Sequence, residues 1–156
     1  MTPAMRGELD AAGLRIGIVR SLFNRPVTDG LLRGALAVID GAGGGDVTVV
    51  DVEGAFEIPI VAMRLATGGC DAVIGIGAVV EGETDHYEHI AHRASEGLMR
   101  VMLDTGVPTA FGVLTVRDPQ HAFARSAEDE HNKGREAANA AIRTANLLRQ
   151  IEGPTA

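Results

Sequence analysis

Four short apolar runs alternate with segments of helical periodicity, and this alternation restricts the fold more than any other feature of the chain. The runs are Leu14 to Val19, Val47 to Val52, Asp71 to Val80 and Pro108 to Thr115. They are rich in Val, Ile and Ala and flanked by Gly, Pro or Asp, as strands buried on both faces are. After the first run, Leu31, Leu32, Ala35, Leu36, Val38 and Ile39 recur on one helical face until Gly41 to Gly45. Pro59 suits the first turn of a helix through Ala66, which Gly68 and Gly69 end. The third run leads into a long helix from about Thr84 to Asp104. Asp118-Pro119 reads as an N-cap with Pro at the first helical position. The last helix carries Ala138, Ala141, Ile142, Ala145 and Leu148 on one stripe and stops at Gly153-Pro154.

Strand and helix in strict alternation imply a parallel sheet with right-handed crossovers. The expectation is a single three-layer α/β domain over residues 1–156: a four-stranded parallel sheet flanked by helices on both faces, flavodoxin-like. Residues 1–12 are read as an extended N-terminal arm. Ligands of such sheets bind beyond the carboxyl ends of the strands. That directs attention to three loops: Ser21 to Pro26, Glu53 to Pro59 and Glu81 to His86.

Composition removes several function classes. The formal net charge of −7 argues against sequence-independent nucleic-acid binding, which needs clustered Lys and Arg. No stretch approaches the ~18 consecutive apolar residues of a membrane span. With one cysteine, Cys70, no internal disulfide can form, and a reducing cytoplasm is the expected compartment. Gly75-Ile76-Gly77 follows a strand, but Val80 stands where a dinucleotide fingerprint needs its third glycine, so these glycines read as aids to close helix–sheet packing.

Gly82-Glu83-Thr84-Asp85-His86 sits where a strand hands over to a helix N-terminus, whose free N–H groups and dipole attract anions. An ordinary helix cap and a phosphate cradle both fit it, and the Glu83 and Asp85 carboxylates must point away for the second. His86, His89 and His92 lie three residues apart; steps of that size drift round a helix, so a metal site is not expected. His86, at the mouth of the loop, suits proton transfer near neutral pH. Phe23-Asn24 and Phe56-Glu57 each place an aromatic beside a polar residue after a strand, suited either to a planar ring or to anchoring the loop. Arg125 and Lys133 flank the acidic stretch Ala127 to His131 and read either as solvated or as paired with it.

Taken in order, these segments resemble the lumazine synthase family over nearly the whole chain, from Gly7 to Leu148. The resemblance rests on Phe23-Asn24, Gly54-Ala55-Phe56-Glu57-Ile58-Pro59, Ala78 to Tyr87, Phe111-Gly112-Val113-Leu114-Thr115, Arg125 and Asn132-Lys133-Gly134. It implies condensation of 5-amino-6-ribitylamino-pyrimidinedione with 3,4-dihydroxy-2-butanone 4-phosphate in riboflavin biosynthesis, without metal or organic cofactor. It implies that Phe23 stacks on the pyrimidine and that Ala55 and Phe56, in the loop after the second strand, contact substrate. Asn24 and Glu57 hold ribityl hydroxyls near Lys133, and Val79 and Val80 line the ring pocket. Gly82, Glu83 through its backbone, Thr84 and Arg125 hold phosphate, and His86 relays protons. Phe111 reaches a neighbour's pocket, which implies a homo-oligomer, a pentamer, that can associate with riboflavin synthase. Two departures stand out: Glu81 replaces a residue that is often basic, and the acidic turn 127–131 replaces a Gly-rich one, favouring a free pentamer over an icosahedral shell. An archaeal-type riboflavin synthase and a non-catalytic flavin-binding or shell protein of this fold are the alternatives.

Overall fold

The computed structural model describes residues 1–153; the Pro154 end of the last-helix reading lies outside them. Four strands, β1 (Arg15–Ser21), β2 (Asp46–Val52), β3 (Ala72–Val80) and β4 (Thr109–Val116), pair in parallel in the order β2-β1-β3-β4. The helices are α1 (Arg25–Gly41), α2 (Ile58–Thr67), α3 (His86–Thr105), α4 (Pro119–Ala124) and α5 (Lys133–Glu152), with one 3-10 turn at Ala55–Glu57. The expected α/β class and parallel sheet are observed.

Burial explains which runs form which strands. Eight of the nine residues of β3 are buried, as a central strand covered on both faces requires, whereas β2 is an edge strand with several exposed residues. One core joins Ile16, Ile18 and Ile74 to Leu31 and Ile39 of α1 and Ile142 of α5. The other joins Val19, Val73 and Val113 to Ile58 and Ala62 of α2 and Leu98 of α3. The glycines of β3 permit that second layer: a Cβ on Gly75 would lie 2.9 Å from Leu98 Cδ1 and 3.0 Å from Ile58 Cγ2. Gly97 of α3 does the same against the Pro59 ring. Helices α2 and α3 therefore approach the sheet and each other closely without displaced side chains.

Some boundaries differ from the sequence reading. Helix α1 starts at Arg25, not near Leu31, because Pro26 sits in its first turn, where a missing N–H is harmless. Helix α3 starts at His86; Thr84 and Asp85 belong to the preceding turn. Helix α4 ends at Ala124, which leaves Arg125 just past it. The Asp118 cap forms as read, its side chain accepting from the Gln120 N–H at 2.9 Å. Residues 1–10 form neither helix nor strand, and α5 holds part of them: Arg143 donates to the Gly7 carbonyl at 2.9 Å and Asn146 to the Glu8 and Asp10 carbonyls, both at 2.8 Å.

Candidate active site

The sheet order reverses direction between β1 and β3: one crossover leads outward to β2 and the next leads to the opposite side. The crevice at the carboxyl ends of two such strands is where doubly wound sheets bind ligands. A cleft of about 630 Å³ opens there.

Each wall comes from a different strand end. After β1, Phe23 projects into the cleft with 69% of its surface exposed, so the core does not claim it. After β2, the 3-10 turn presents Ala55, Phe56 and Glu57, with Ala55 buried as its foot. From β3, Val79 and Val80 form an apolar floor, and Gly82 and Thr84 follow them. The first turn of α3 adds His86. An aromatic face, a carboxylate, an aliphatic floor, a hydroxyl beside a helix N-terminus and an imidazole thus share one cavity. Such a set can stack a planar ring, bind hydroxyls, hold an anion and move a proton.

The rim after β3 leaves its helix end open. Asp85 precedes α3 without capping it; its carboxylate instead meets His89 Nε2 at 3.3 Å, one turn down the exposed face. Asp85 therefore turns away from the cleft, and Glu83 does not line it. Both facts lessen the repulsion that the sequence raises against an anion at this helix end. The His86 N–H has only the Thr84 hydroxyl, at 3.4 Å. Among the described residues, no cluster of three or more His, Cys, Asp or Glu could hold a metal ion.

Asn24 is placed otherwise than its neighbour. It is the one non-glycine residue with positive φ among those described (59°), a left-handed conformation that Asn tolerates better than most residues. Its side-chain N–H₂ donates to the Ala78 carbonyl at 2.9 Å, bridging the β1–α1 loop to β3. Its carbonyl accepts from the Val27 and Thr28 amides and opens α1.

Besides Asn24 and Glu83, three expected site residues lie outside this cleft. Phe111 sits on edge strand β4, 46% exposed. Arg125 is exposed past α4, and Lys133, at the start of α5, pairs with Glu136 at 2.9 Å. Around Lys133 the neighbours are architectural. Buried Asn132 caps α5 through the Arg135 N–H at 3.1 Å and donates to the Gly30 and Ala127 carbonyls, while Gly134 lies against the Leu31 carbonyl. Conversely, Glu53, Ala78, Tyr87 and Ile90 line the cleft without having been singled out. The signal for Ile90 was its place one helical turn beyond His86, and for Tyr87 its place three residues before Ile90. A second, larger cleft of about 840 Å³ lies between α1, α5 and the acidic turn, away from the strand ends.

Comparison with known proteins decides the family. Residues 13–149 match the family described as 6,7-dimethyl-8-ribityllumazine synthase. The chain belongs to that family. It is 46% identical to the 6,7-dimethyl-8-ribityllumazine synthase of Salinibacter ruber over 156 residues, covering 98% of this chain and 100% of that one. The enzymes of the same name from Thermococcus gammatolerans and Thermococcus kodakarensis are 45% and 44% identical, over 95% and 94% of this chain and 96% and 94% of theirs. The resemblance read from the motifs is the family found, and neither alternative reading is favoured. The shared region takes in every strand and the whole rim of the cleft.

Proposed function

We propose that the cleft condenses 5-amino-6-ribitylamino-pyrimidinedione with 3,4-dihydroxy-2-butanone 4-phosphate to 6,7-dimethyl-8-ribityllumazine. The convergence of Phe23, Glu57, Val79, Thr84 and His86 in one crevice, in a chain of this family, carries the reading. Phe23 stacks on the pyrimidine over Val79 and Val80. Glu57 accepts from ribityl hydroxyls beside Ala55 and Phe56, and Asn24, with one N–H committed to Ala78, offers its oxygen and its second N–H. Phosphate lies at Gly82, the Glu83 backbone and Thr84, where the open N-terminus of α3 complements its charge.

The chemistry is amine attack on the ketone, loss of water, elimination of phosphate, then ring closure with loss of a second water. His86 carries protons between these steps. Holding two substrates in register supplies much of the rate, so modest acid–base groups suffice. No step calls for a metal or an organic cofactor. Chelator-treated protein converting both substrates, followed by lumazine absorbance, tests this; activity that returned only with added metal would refute it.

Arg125, Phe111 and Lys133 enter from a neighbouring subunit in this proposal. Phe111 and Phe123 are both about half exposed, and Leu103, Met99 and Ile60 leave α3 and α2 with apolar surface that a second copy would cover. Contacts joining different surfaces close into rings, and the proposed ring is a pentamer. Three carboxylates in Glu128-Asp129-Glu130 favour it over a larger shell. Sedimentation velocity tests this, with a monomer as the contrary result. No helix among the described residues is long and apolar enough to cross a membrane. A cytoplasmic location, with buried Cys70 kept reduced, and association with riboflavin synthase complete the proposal.

A further inference from the structure

We propose that Arg20, buried behind the sheet, is a positioning residue for the pyrimidine substrate: it clamps the ends of β1 and β2 to α1 and so holds Phe23 and the Glu53–Glu57 loop at their working separation. The inference rests on the proposed use of the cleft.

Arg20 is 5% exposed, on the α1 side of β1, and does not touch the cleft. The β1–β2 register sets it opposite Asp51. Its fork grips that carboxylate at both ends, Nε to Oδ1 at 2.9 Å and Nη2 to Oδ2 at 3.2 Å, while Nη1 donates to Asp29 of α1. Arg25 adds a contact to Asp29 at 3.6 Å. One guanidinium thus joins three elements just before their chains enter the site.

Beyond the clamp, two backbone bonds carry the strands outward, the Leu22 N–H to the Val52 carbonyl at 2.8 Å and the Phe23 N–H to the Glu53 carbonyl at 3.1 Å, and the Asn24 side chain then ties the loop to β3. Phe23, Phe56 and Glu57 are all exposed; buried Ala55 and Ile58 anchor the second loop to the core, whereas Phe23 itself is not part of the core. Where Phe23 stands relative to that loop therefore follows from its backbone, which the clamp holds together with the Asn24 bridge. Arg20 is buried but Asp51 and Asp29 are partly exposed, and an ion pair of that kind is weak evidence for stability. What a bidentate fork adds is fixed geometry, which lysine cannot copy. The guanidinium lowers the Asp51 carboxyl below the ordinary carboxylate range, chiefly by direct hydrogen bonding, in keeping with a tight pair.

The test compares wild type with Arg20→Met, Arg20→Lys and Asp51→Asn by steady-state kinetics and amide hydrogen exchange. Arg20→Met should raise KM for the pyrimidinedione about tenfold and leave KM for the butanone phosphate within about twofold. Arg20→Lys should recover only part of the loss. The Leu22 and Phe23 amides should exchange faster in Arg20→Met, while Gly82 to His86 keep the wild-type rate. If Arg20→Met does not fold, Asp51→Asn should show the same pattern at smaller size. Equal changes in both KM values, full rescue by lysine, or unchanged exchange at Leu22 and Phe23 would overturn the proposal. A wild-type protein that converts neither substrate would instead overturn the reading of the cleft, and the exchange pattern would still decide the clamp.

Discussion

The rim of the cleft after β1 and β2 and the rim after β3 are built in opposite ways. The first is braced by the Arg20–Asp51 fork, two interstrand backbone hydrogen bonds and the Asn24 bridge to Ala78. The second, Glu81 to His86, is exposed along its whole length. It is tied by the Glu81 N–H to the Val116 carbonyl at 2.9 Å and by an exposed Glu81–Arg117 pair at 3.4 Å. A surface ion pair of that kind adds ~0–1 kcal/mol. An aromatic platform must be in place before a ring can stack on it, so preorganisation belongs there. An anion site at a helix end needs open N–H groups, so the same degree of internal bonding there would occupy the donors a phosphate requires.

That contrast can be broken from either side. On the open rim, His86→Ala should lower kcat roughly 10–1000-fold with the fold intact, since His86 is exposed and general acid–base groups contribute on that scale. A kcat near wild type would remove the proton relay. Arg125→Ala should raise KM for the butanone phosphate about 10–100-fold, as loss of a charge-assisted clamp does, with little change in KM for the pyrimidinedione. An equal rise in both would detach Arg125 from the phosphate half. Neither change should shift the thermal midpoint appreciably, because exposed side chains away from special geometry contribute within ~0.5 kcal/mol.

On the braced rim the expected response is reversed, with stability moving first. Asn24→Ala loses the bond to Ala78 and forces alanine into positive φ, together about 1–3 kcal/mol. Asn24→Gly should recover the conformational part alone, which a denaturant titration of both variants would resolve. If glycine proved no better than alanine, backbone strain would not be part of the bridge. The smallest expected effect is in pH dependence. The folded carboxyl of Asp51 is lowered by Arg20, so its contribution is fully present above the ordinary aspartate value near ~4 and is lost as pH falls through the lowered one. The stability gap between wild type and Asp51→Asn should therefore be widest at neutral pH and narrow in acid. A constant gap down to about pH 2 would show that the pair does not set it.

The two regions also differ in how far the sequence revealed them. The open rim was legible: Gly82 to His86 follow the most apolar run of the chain, and a strand-to-helix handover announces itself locally. Phe23 and the Gly54–Pro59 segment were legible from pattern and family resemblance together. The brace was not. Arg20 falls just past the apolar run Leu14 to Val19, and nothing local marks it as buried. The resemblance assigns Asn24 to the ribityl hydroxyls, and nothing in the sequence signals its further tie to Ala78, 54 residues away. Asn132 entered only as part of the Asn132-Lys133-Gly134 segment of the resemblance, and it joins α1, the acidic turn and α5.

By itself the sequence determined the element types, the parallel sheet and the loops where chemistry could lie, because periodicity, capping and glycine or proline punctuation act within a few residues. Tertiary structure alone decided the strand order β2-β1-β3-β4, which puts the cleft between β1 and β3, and the meeting of Arg20 with Asp51 and Asp29. Those depend on which distant segments become neighbours, and a charge separated from its partner by 31 residues carries no periodic signal of the pairing that buries it.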